Sequence, residues 1–440
     1  MKKYFTGFVL MLMTTLSDAQ QIPVNQPIEM YNLTLEECIN YALHNNYNRQ
    51  SLNLDKSVKE INYSQSKQER LPIVSASASQ SVTNTPDTDK STIWNGNYGV
   101  NANMTIYNGG TIKNTIEQNK LKVQQVDYQT KQYDNELAIN VIQAFLSVLG
   151  NEELLNLQQT LLKTSEEQMH QGEEQLMAGT ILESDYLLLE SQYASDKYNV
   201  VNTEINRNNN LLTLKNLLSL SPAQRLNIIP PDTAIIHNLS ALPALDDVMQ
   251  VSLQTIPDLQ ISKYNVSIAQ SGIKLSQAGY LPTLSLGAGI GTGYNSGNDN
   301  SWGTQLSKNF NEQASLTLSI PIFSKSRNKA NVQQSKILLQ QAELKQSQTE
   351  LNVMQQVEQE YQNILSAYGK YIASETKQNA YKASFDAYRE QFKVGSITTV
   401  DLLLQQNNYI SALNDYIQSK YIFILDRKIL DVYMDVPVKL

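Results

Sequence analysis

Two copies of one structural unit follow each other along this chain, and this duplication restricts the fold more than any other feature. Leu71 and Leu281 each begin a Leu-Pro segment with strand-like alternation, and they lie 210 residues apart. Farther along, the offset becomes 216 residues at Ile106 and Ile322, and it stays constant through Gly179 and Gly395. Because chance would not preserve such offsets, we expect two copies of the same order of elements.

Each copy has the predicted order helix, strand, strand, very long helix, short turn and helix. We assign the first repeat to residues 20–220 and the second repeat to residues 244–440. The segment between them, residues 221–243, contains Pro222, Pro230, Pro231 and Pro243. Consecutive prolines lack amide donors and resist helix formation, so this segment is predicted to be an extended crossover.

Two proline-free runs, at residues 111–178 and 327–394, predict helices much longer than those of globular cores. At about 1.5 Å per residue, each helix would extend roughly 100 Å. Apolar residues recur at helical spacing in matching places of the two runs, namely Leu137, Val141, Phe145 and Val148, and Val353, Val357, Tyr361 and Ile364. This pattern is typical of long antiparallel helices that pack as coiled hairpins.

Four segments, which include Val74, Tyr98, Leu284 and Ala314, alternate between an apolar face and a face of small polar residues. The polar faces carry no Lys, Arg, Asp or Glu, whereas a sheet face in water usually carries charge. Four strands alone would leave open edges, which lipid does not tolerate. We therefore predict a mainly α fold with a membrane β-barrel, in which three protomers close a 12-stranded barrel. A half-buried sheet of a soluble protein is the alternative interpretation.

The first 19 residues have the pattern of a secretory signal peptide. Lys2 and Lys3 precede a mostly apolar stretch that is too short to span a bilayer as a helix. Small residues up to Ala19 then resemble a cleavage site, so the mature chain is expected to begin near Gln20.

The remaining composition argues against several classes of function. The net charge of −8 is unfavourable for nucleic-acid binding, which needs clustered basic charge. Cys38 is the only cysteine, so no internal disulfide forms, and its apolar helical setting predicts a buried packing residue. The three histidines are isolated, and we find no catalytic motif, cofactor loop or metal-ligand spacing. Helix packing explains Met169, His170 and Met177 better than a copper or silver site does.

A short turn ends each long helix, at Gly179 to Asp185 in the first repeat and Gly395 to Asp401 in the second. Glycine can adopt the left-handed conformation that stops a helix, and a following Ser, Thr or Asp can cap the returning helix. A purely structural turn would account for all of these residues.

These motifs resemble those of the TolC-like outer-membrane efflux proteins over essentially the whole mature chain. The resemblance rests on the Leu-Thr-Leu-Glu-Glu-Cys-Ile start at Leu33, the two Leu-Pro strand starts and the doubled Gly-x5-Asp turns. It implies a homotrimer in the outer membrane of a Gram-negative bacterium, with apolar strand faces against lipid and an α-helical tunnel that extends into the periplasm.

The resemblance also implies a periplasmic gate and binding partners. Asp185 and Asp401 would lie at the tunnel entrance beside Gly179 and Gly395, where three copies of each carboxylate would favour cations. A periplasmic adaptor would bind the tips and link them to an inner-membrane transporter, proton-driven or of the ABC type. The adaptor-contacting residues would be Thr180, Ile181, Ser396 and Ile397.

The sequence departs from the familiar family pattern at three tip positions. Leu404 replaces a second acidic residue, Ile397 replaces a basic residue and Phe392 replaces a tyrosine. A more apolar constriction formed by Phe392 and Leu404 is therefore an alternative to a gate closed by polar contacts.

The function that these observations favour is an exit duct for small molecules such as drugs and toxic compounds. Within the same fold, the alternative is the exit duct of a type I protein secretion system. From a different class, the alternative is a soluble coiled-coil scaffold.

Overall fold

The computed structural model describes residues 30–84, 92–230 and 242–436, and the predicted signal peptide at residues 1–19 lies outside them. The same is true of the predicted mature start near Gln20 and of residues 231–241 of the proline-containing crossover. In chain order the described elements are β1 (Met30–Leu33), α1 (Leu35–Asn45), α2 (Tyr47–Gln68), β2 (Ile73–Asn84), β3 (Thr92–Asn108), α3 (Thr111–Met177), α4 (Glu183–Leu217), β4 (Arg225–Ile228), α5 (Leu245–Thr255), α6 (Pro257–Ala278), β5 (Thr283–Asn295), α7 (Trp302–Lys308), β6 (Asn311–Ser319), α8 (Arg327–Lys393) and α9 (Thr399–Tyr433).

The two longest helices, α3 and α8, have 67 residues each and match the predicted proline-free runs to within one residue. α4 packs along α3 and α9 packs along α8, so each repeat contributes one long helical hairpin. The two hairpins meet mainly through α3 and α9, which leaves α4 and α8 at the outer flanks. Within the described ranges, no helix is both long and apolar enough to cross a membrane.

The four predicted strands form one antiparallel sheet in the order β2–β3–β5–β6. The register places Ala102 opposite Ala288 and Leu286 opposite Leu316, so the apolar residues of neighbouring strands share one face. β2 and β6 are the outer strands, and every residue of both strands is exposed. Since the strands of both repeats pair with each other through β3 and β5, the duplication builds a single sheet.

Three features depart from the order predicted from the sequence. The crossover contains β4, which pairs in parallel with β1 and thereby ties the crossover to the start of the first repeat. The first helix of each repeat is broken in two, because Asn46 and Ile256 take extended backbone conformations between the halves. The loop between β5 and β6 contains the short helix α7, which the predicted order of elements does not include.

Three clusters of buried apolar side chains run along the hairpins. The first contains Cys38 and Phe145, both fully buried, together with much of the predicted stripe of α3. Burial raises the pKa of the Cys38 thiol to about 12, so it is a packing group rather than a reactive thiol. The second contains Val357 and Ile364 of α8, and the third lies beneath the hairpin turns.

Candidate functional site at the hairpin turns

The turns between α3 and α4 and between α8 and α9 have the same backbone geometry. Gly179 has φ of 72° and Gly395 has φ of 71°, which is the left-handed conformation that favours glycine. In the first turn, the amides of Gly179 and Thr180 donate to the carbonyls of Leu176 and Gln175, both at 2.9 Å. These two bonds define a Schellman motif, which satisfies carbonyl groups at the end of a helix.

The second turn repeats these bonds, because the amides of Gly395 and Ser396 donate to the carbonyls of Phe392 and Gln391 at 3.0 Å. A hydroxyl group reinforces each motif. The Thr180 side chain donates to the Gln175 carbonyl at 2.9 Å, and the Ser396 side chain donates to the Gln391 carbonyl at 3.0 Å. The predicted tip residues Thr180 and Ser396 therefore stabilise the turns while both remain exposed.

The returning helices are capped differently, which corrects the expectation that Ser, Thr or Asp caps both. Thr398 is the N-cap of α9 and forms a capping box with Asp401, whose carboxylate lies 2.6 Å from the Thr398 hydroxyl. The N-cap of α4 is Leu182, which has no side-chain hydrogen bond to offer. Its backbone angles, φ −80° and ψ 155°, nevertheless match those of Thr398, φ −82° and ψ 158°.

The two predicted gate carboxylates therefore have different environments. Asp401 is exposed and engaged by Thr398. Asp185 is half-buried in the first turn of α4, and among the described residues its carboxylate has no hydrogen-bond or ion-pair partner. Only the Asp185 carboxylate is thus free to interact with another group.

The two apolar candidates for a constriction also differ. Phe392 is only 4% exposed and packs in the third cluster, whereas Leu404 is 55% exposed on the same hairpin. In this conformation Phe392 is a packing residue, and Leu404 has the surface that could face a lumen. The exposed apolar side chains Met177, Leu182 and Val394 extend this surface to both turns.

The helices beneath the turns approach each other closely. A Cβ atom built on Gly172 of α3 would lie 2.4 Å from Cδ1 of Leu189 on α4, so glycine allows this approach. In the second hairpin, the rings of Phe385 and Tyr409 stack with their centroids 5.8 Å apart. Each hairpin is therefore a tightly packed rod up to its turn.

Polar contacts join one hairpin to the other. Nζ of Lys420 on α9 lies 2.9 Å from Glu153 on α3, and the Tyr421 hydroxyl donates to the same carboxylate at 2.9 Å. Burial and the Glu153 charge raise the pKa of Tyr421, which therefore remains a neutral donor. Closer to the turns, Gln406 of α9 donates to Asp196 of α4 at 3.2 Å.

Sequence reasoning missed the contact between Asp196 and Gln406. The available signal was a comparison of the repeats, because Asp196 corresponds to Ala412 at the offset of 216 residues. When one repeat has a carboxylate on a buried helix face and the other repeat has alanine at the same position, the carboxylate is a candidate for a buried polar contact.

Met169, His170 and Met177, which were weighed as ligands of a copper or silver ion, are spread along α3. Nδ1 of His170 lies 3.6 Å from a carboxylate oxygen of Glu173, and Met177 is exposed. In the part of the chain that the structure describes, no three His, Cys, Asp or Glu side chains are grouped as metal ligands would be.

Two long helical hairpins that extend from a shared four-stranded sheet and end in matching turns define a class of channel-forming outer-membrane proteins. The chain belongs to the outer membrane efflux protein family, whose model matches residues 38–219 and 248–424. One matched span lies in each repeat. Family membership places the chain in the outer membrane and in a class of transport proteins rather than enzymes.

Solved structures have the same fold. CusC matches with a TM-score of 0.80 and 17% identity, over 94% of this chain and 95% of CusC. The CmeC outer membrane channel of Campylobacter jejuni matches with a TM-score of 0.74 and 16% identity, over 91% of this chain and 85% of CmeC. The open-state MtrE outer membrane channel of Neisseria gonorrhoeae matches with a TM-score of 0.70 and 19% identity, over 91% of this chain and 88% of MtrE. Comparison with curated protein sequences gives no match.

Proposed function

We propose that three copies of this chain form an exit duct that carries small molecules across the periplasm and the outer membrane. The duct works with a periplasmic adaptor and with an inner-membrane transporter that supplies the energy. The observation that carries this proposal is the four-stranded sheet, which has two unpaired outer strands and an exposed apolar face.

The unpaired edges of the sheet indicate that strands of other copies complete a closed barrel. β2 and β6 expose backbone donors and acceptors along their outer edges, and lipid cannot satisfy those groups. Pairing β2 of one protomer with β6 of the next removes both edges, and three protomers then supply 12 strands. The apolar face, which includes Leu286 and Leu316, would contact lipid, and the small polar face would line the lumen.

The helices carry a second sign of assembly, because both flanking helices have exposed apolar stripes. On α4, Tyr198, Ile205 and Leu212 follow each other at seven-residue intervals and are 69%, 52% and 50% exposed. On α8, the matching stripe includes Leu344, Leu351, Leu365 and Ile372. Seven-residue spacing is typical of helices that pack against a partner helix. We infer that α4 of one protomer packs against α8 of its neighbour.

In this assembly the turns form the periplasmic entrance. Gly179 and Gly395 fix the turns, and Asp185, Asp401 and Leu404 surround the opening. The exposed or half-exposed residues Thr180, Ile181, Ser396 and Ile397 are the proposed contacts of the adaptor.

The assembly is tested at the proposed α4–α8 contact. Ile205→Asp places a charge in the apolar stripe and is expected to abolish the trimer, whereas Asn206→Asp adds a charge at an exposed position about 100° around α4 from Ile205 and should leave it intact. Native mass spectrometry of the detergent-solubilised protein measures the oligomer, and swelling of protein-containing liposomes in small neutral sugars measures the pore. A wild-type monomer, or a trimer that admits no solute, would overturn the proposal.

A further inference from the structure

A buried carboxyl group lies between the two hairpins, beneath the turns. The side chains of Asp196 on α4 and Gln406 on α9 are both 0% exposed. Nε2 of Gln406 donates to Oδ2 of Asp196 at 3.2 Å, and Nε2 of Gln192 donates to Oδ1 at 3.0 Å. The bond from Gln406 joins the second hairpin to the first beside the third apolar cluster.

The duplication shows that packing does not require this carboxyl group. Ala412, at the position in α9 that corresponds to Asp196, is also 0% exposed. The fold therefore accommodates a small apolar residue at the same place in the other hairpin. A buried carboxylate costs free energy unless it is fully paired, so Asp196 calls for an explanation beyond packing.

The hydrogen bonds of Gln406 are incomplete when Asp196 is ionised. Among the described residues, the buried Oε1 atom of Gln406 has no hydrogen-bond partner. An ionised Asp196 can only accept, so it cannot satisfy this oxygen. A protonated Asp196 can donate its O–H to Oε1 of Gln406 while it accepts from Nε2, which gives a pair with two hydrogen bonds.

We propose that Asp196 and Gln406 form a clasp between the hairpins, closed when Asp196 is protonated and loosened when it is ionised, and that its release favours separation of the turns. This inference rests on the proposed channel function and adds a regulation of its entrance. In the ionised form, the uncompensated charge is relieved by entry of water, which requires the hairpins to move apart.

The surroundings of Asp196 favour the protonated form. Burial raises the pKa of Asp196, and hydrogen bonds from Ser165 on α3 and Gln192 only partly oppose this effect. The neighbouring charged residues Glu166, Glu167 and Lys197 are exposed. The buried titratable group on α9, Tyr409, is neutral because burial raises its pKa as well.

The direction of the pH response follows from these effects. Because the folded-state pKa of Asp196 lies above its ordinary value of 3.8, the clasp is complete below that value and weakens as pH rises through the raised pKa. The proposed channel is therefore more closed in acid and opens more readily as pH rises.

Two substitutions separate the protonated from the ionised state. Asp196→Asn supplies an amide donor to Oε1 of Gln406 and does not titrate, so it should hold the clasp closed at every pH. Asp196→Ala removes the clasp and should increase the open population by roughly fivefold, the effect of losing about one buried hydrogen bond. Ser374→Ala is the matched control, because Ser374 forms a buried bond of 2.6 Å with Ser419 inside one hairpin.

The experiment measures the distance between the hairpins and the conductance of the same variants from acid to neutral pH. Spin labels at Glu174→Cys and Gln391→Cys, both exposed, in a Cys38→Ala background report the distance in trimers diluted with unlabelled chains. In acid, we expect the spin-label distance in wild type to equal that in Asp196→Asn, and as pH rises it should approach the distance in Asp196→Ala. The Ser374→Ala variant should show the same pH response as wild type. A wild-type distance independent of pH, or a wild-type response retained by Asp196→Asn, would overturn the clasp. Absence of conductance in all variants would instead contradict the channel proposal.

Discussion

At the scale of single residues, the two hairpin turns end the long helices with the same backbone geometry but begin the returning helices with different N-caps. Gly179 and Gly395 end their helices with the same left-handed geometry. After them, Thr398 caps α9 through the capping box with Asp401, whereas Leu182 leaves the first amides of α4 without a side-chain acceptor. The turn of the first hairpin is therefore expected to fray more readily.

This difference between the N-caps predicts opposite effects of two substitutions on helix stability. Thr398→Ala should destabilise the start of α9 by about 1 kcal/mol, because it removes the N-cap acceptor. Leu182→Thr should stabilise the start of α4 by a similar amount of about 1 kcal/mol, since the backbone already has cap geometry and Asp185 stands where the box needs it. Hydrogen–deuterium exchange of the first turn of each helix measures both effects. Unchanged exchange in both variants would show that the caps do not control fraying.

At the scale of elements, the hairpins depend on close approach of their helices. Gly172 lets Leu189 of α4 lie against α3, and Leu189 is only 1% exposed. In contrast, a Cβ atom built on Gly272 of α6 would meet no side chain and no backbone of another element within 4 Å among the described residues. The two glycines have opposite roles, although both lie inside helices.

Alanine substitutions at these glycines should therefore change stability in opposite directions. Gly172→Ala should lower the free energy of unfolding by about 1–3 kcal/mol, because a packed core must absorb an added methyl group. Gly272→Ala should raise it by roughly 0.5–1 kcal/mol, since alanine favours helix more than glycine does. Urea unfolding of the detergent-solubilised protein measures both changes. A Gly172→Ala variant as stable as wild type would show that Leu189 can move aside without cost.

The elements were largely predictable, and the reasons for the exceptions are physical. Proline-free runs and the repeat offset predicted α3 and α8, because helix length depends on local signals that the sequence displays. β1, β4 and α7 are short, and their hydrogen-bond partners are distant in sequence or within a loop, so no periodic pattern predicts them. Asp196 and Gln406 were missed because their contact joins different repeats. The predicted roles of Asp185 and Asp401 at a gate remain predictions.

At the scale of the whole molecule, one protomer leaves four flanks uncovered. β2 and β6 expose the edges of the sheet, and α4 and α8 expose apolar stripes along the hairpins. The uncovered strands and helices lie on opposite sides of the connected repeats, so a ring of identical contacts would cover them all. In such a ring the six hairpin turns of three protomers meet at one end, which is the proposed gate.

The most direct test of a gated channel is single-channel recording of the purified protein in planar bilayers. Wild type should give discrete, cation-preferring steps, and Asp185→Ala combined with Asp401→Ala should give larger steps with weaker cation preference, because the carboxylates at the entrance are lost. Thr398→Ala is the control for the capping box, since it removes the cap and keeps both carboxylates. Absence of steps in wild type would contradict the channel itself. Unchanged conductance and selectivity in the double variant would contradict a gate at these turns.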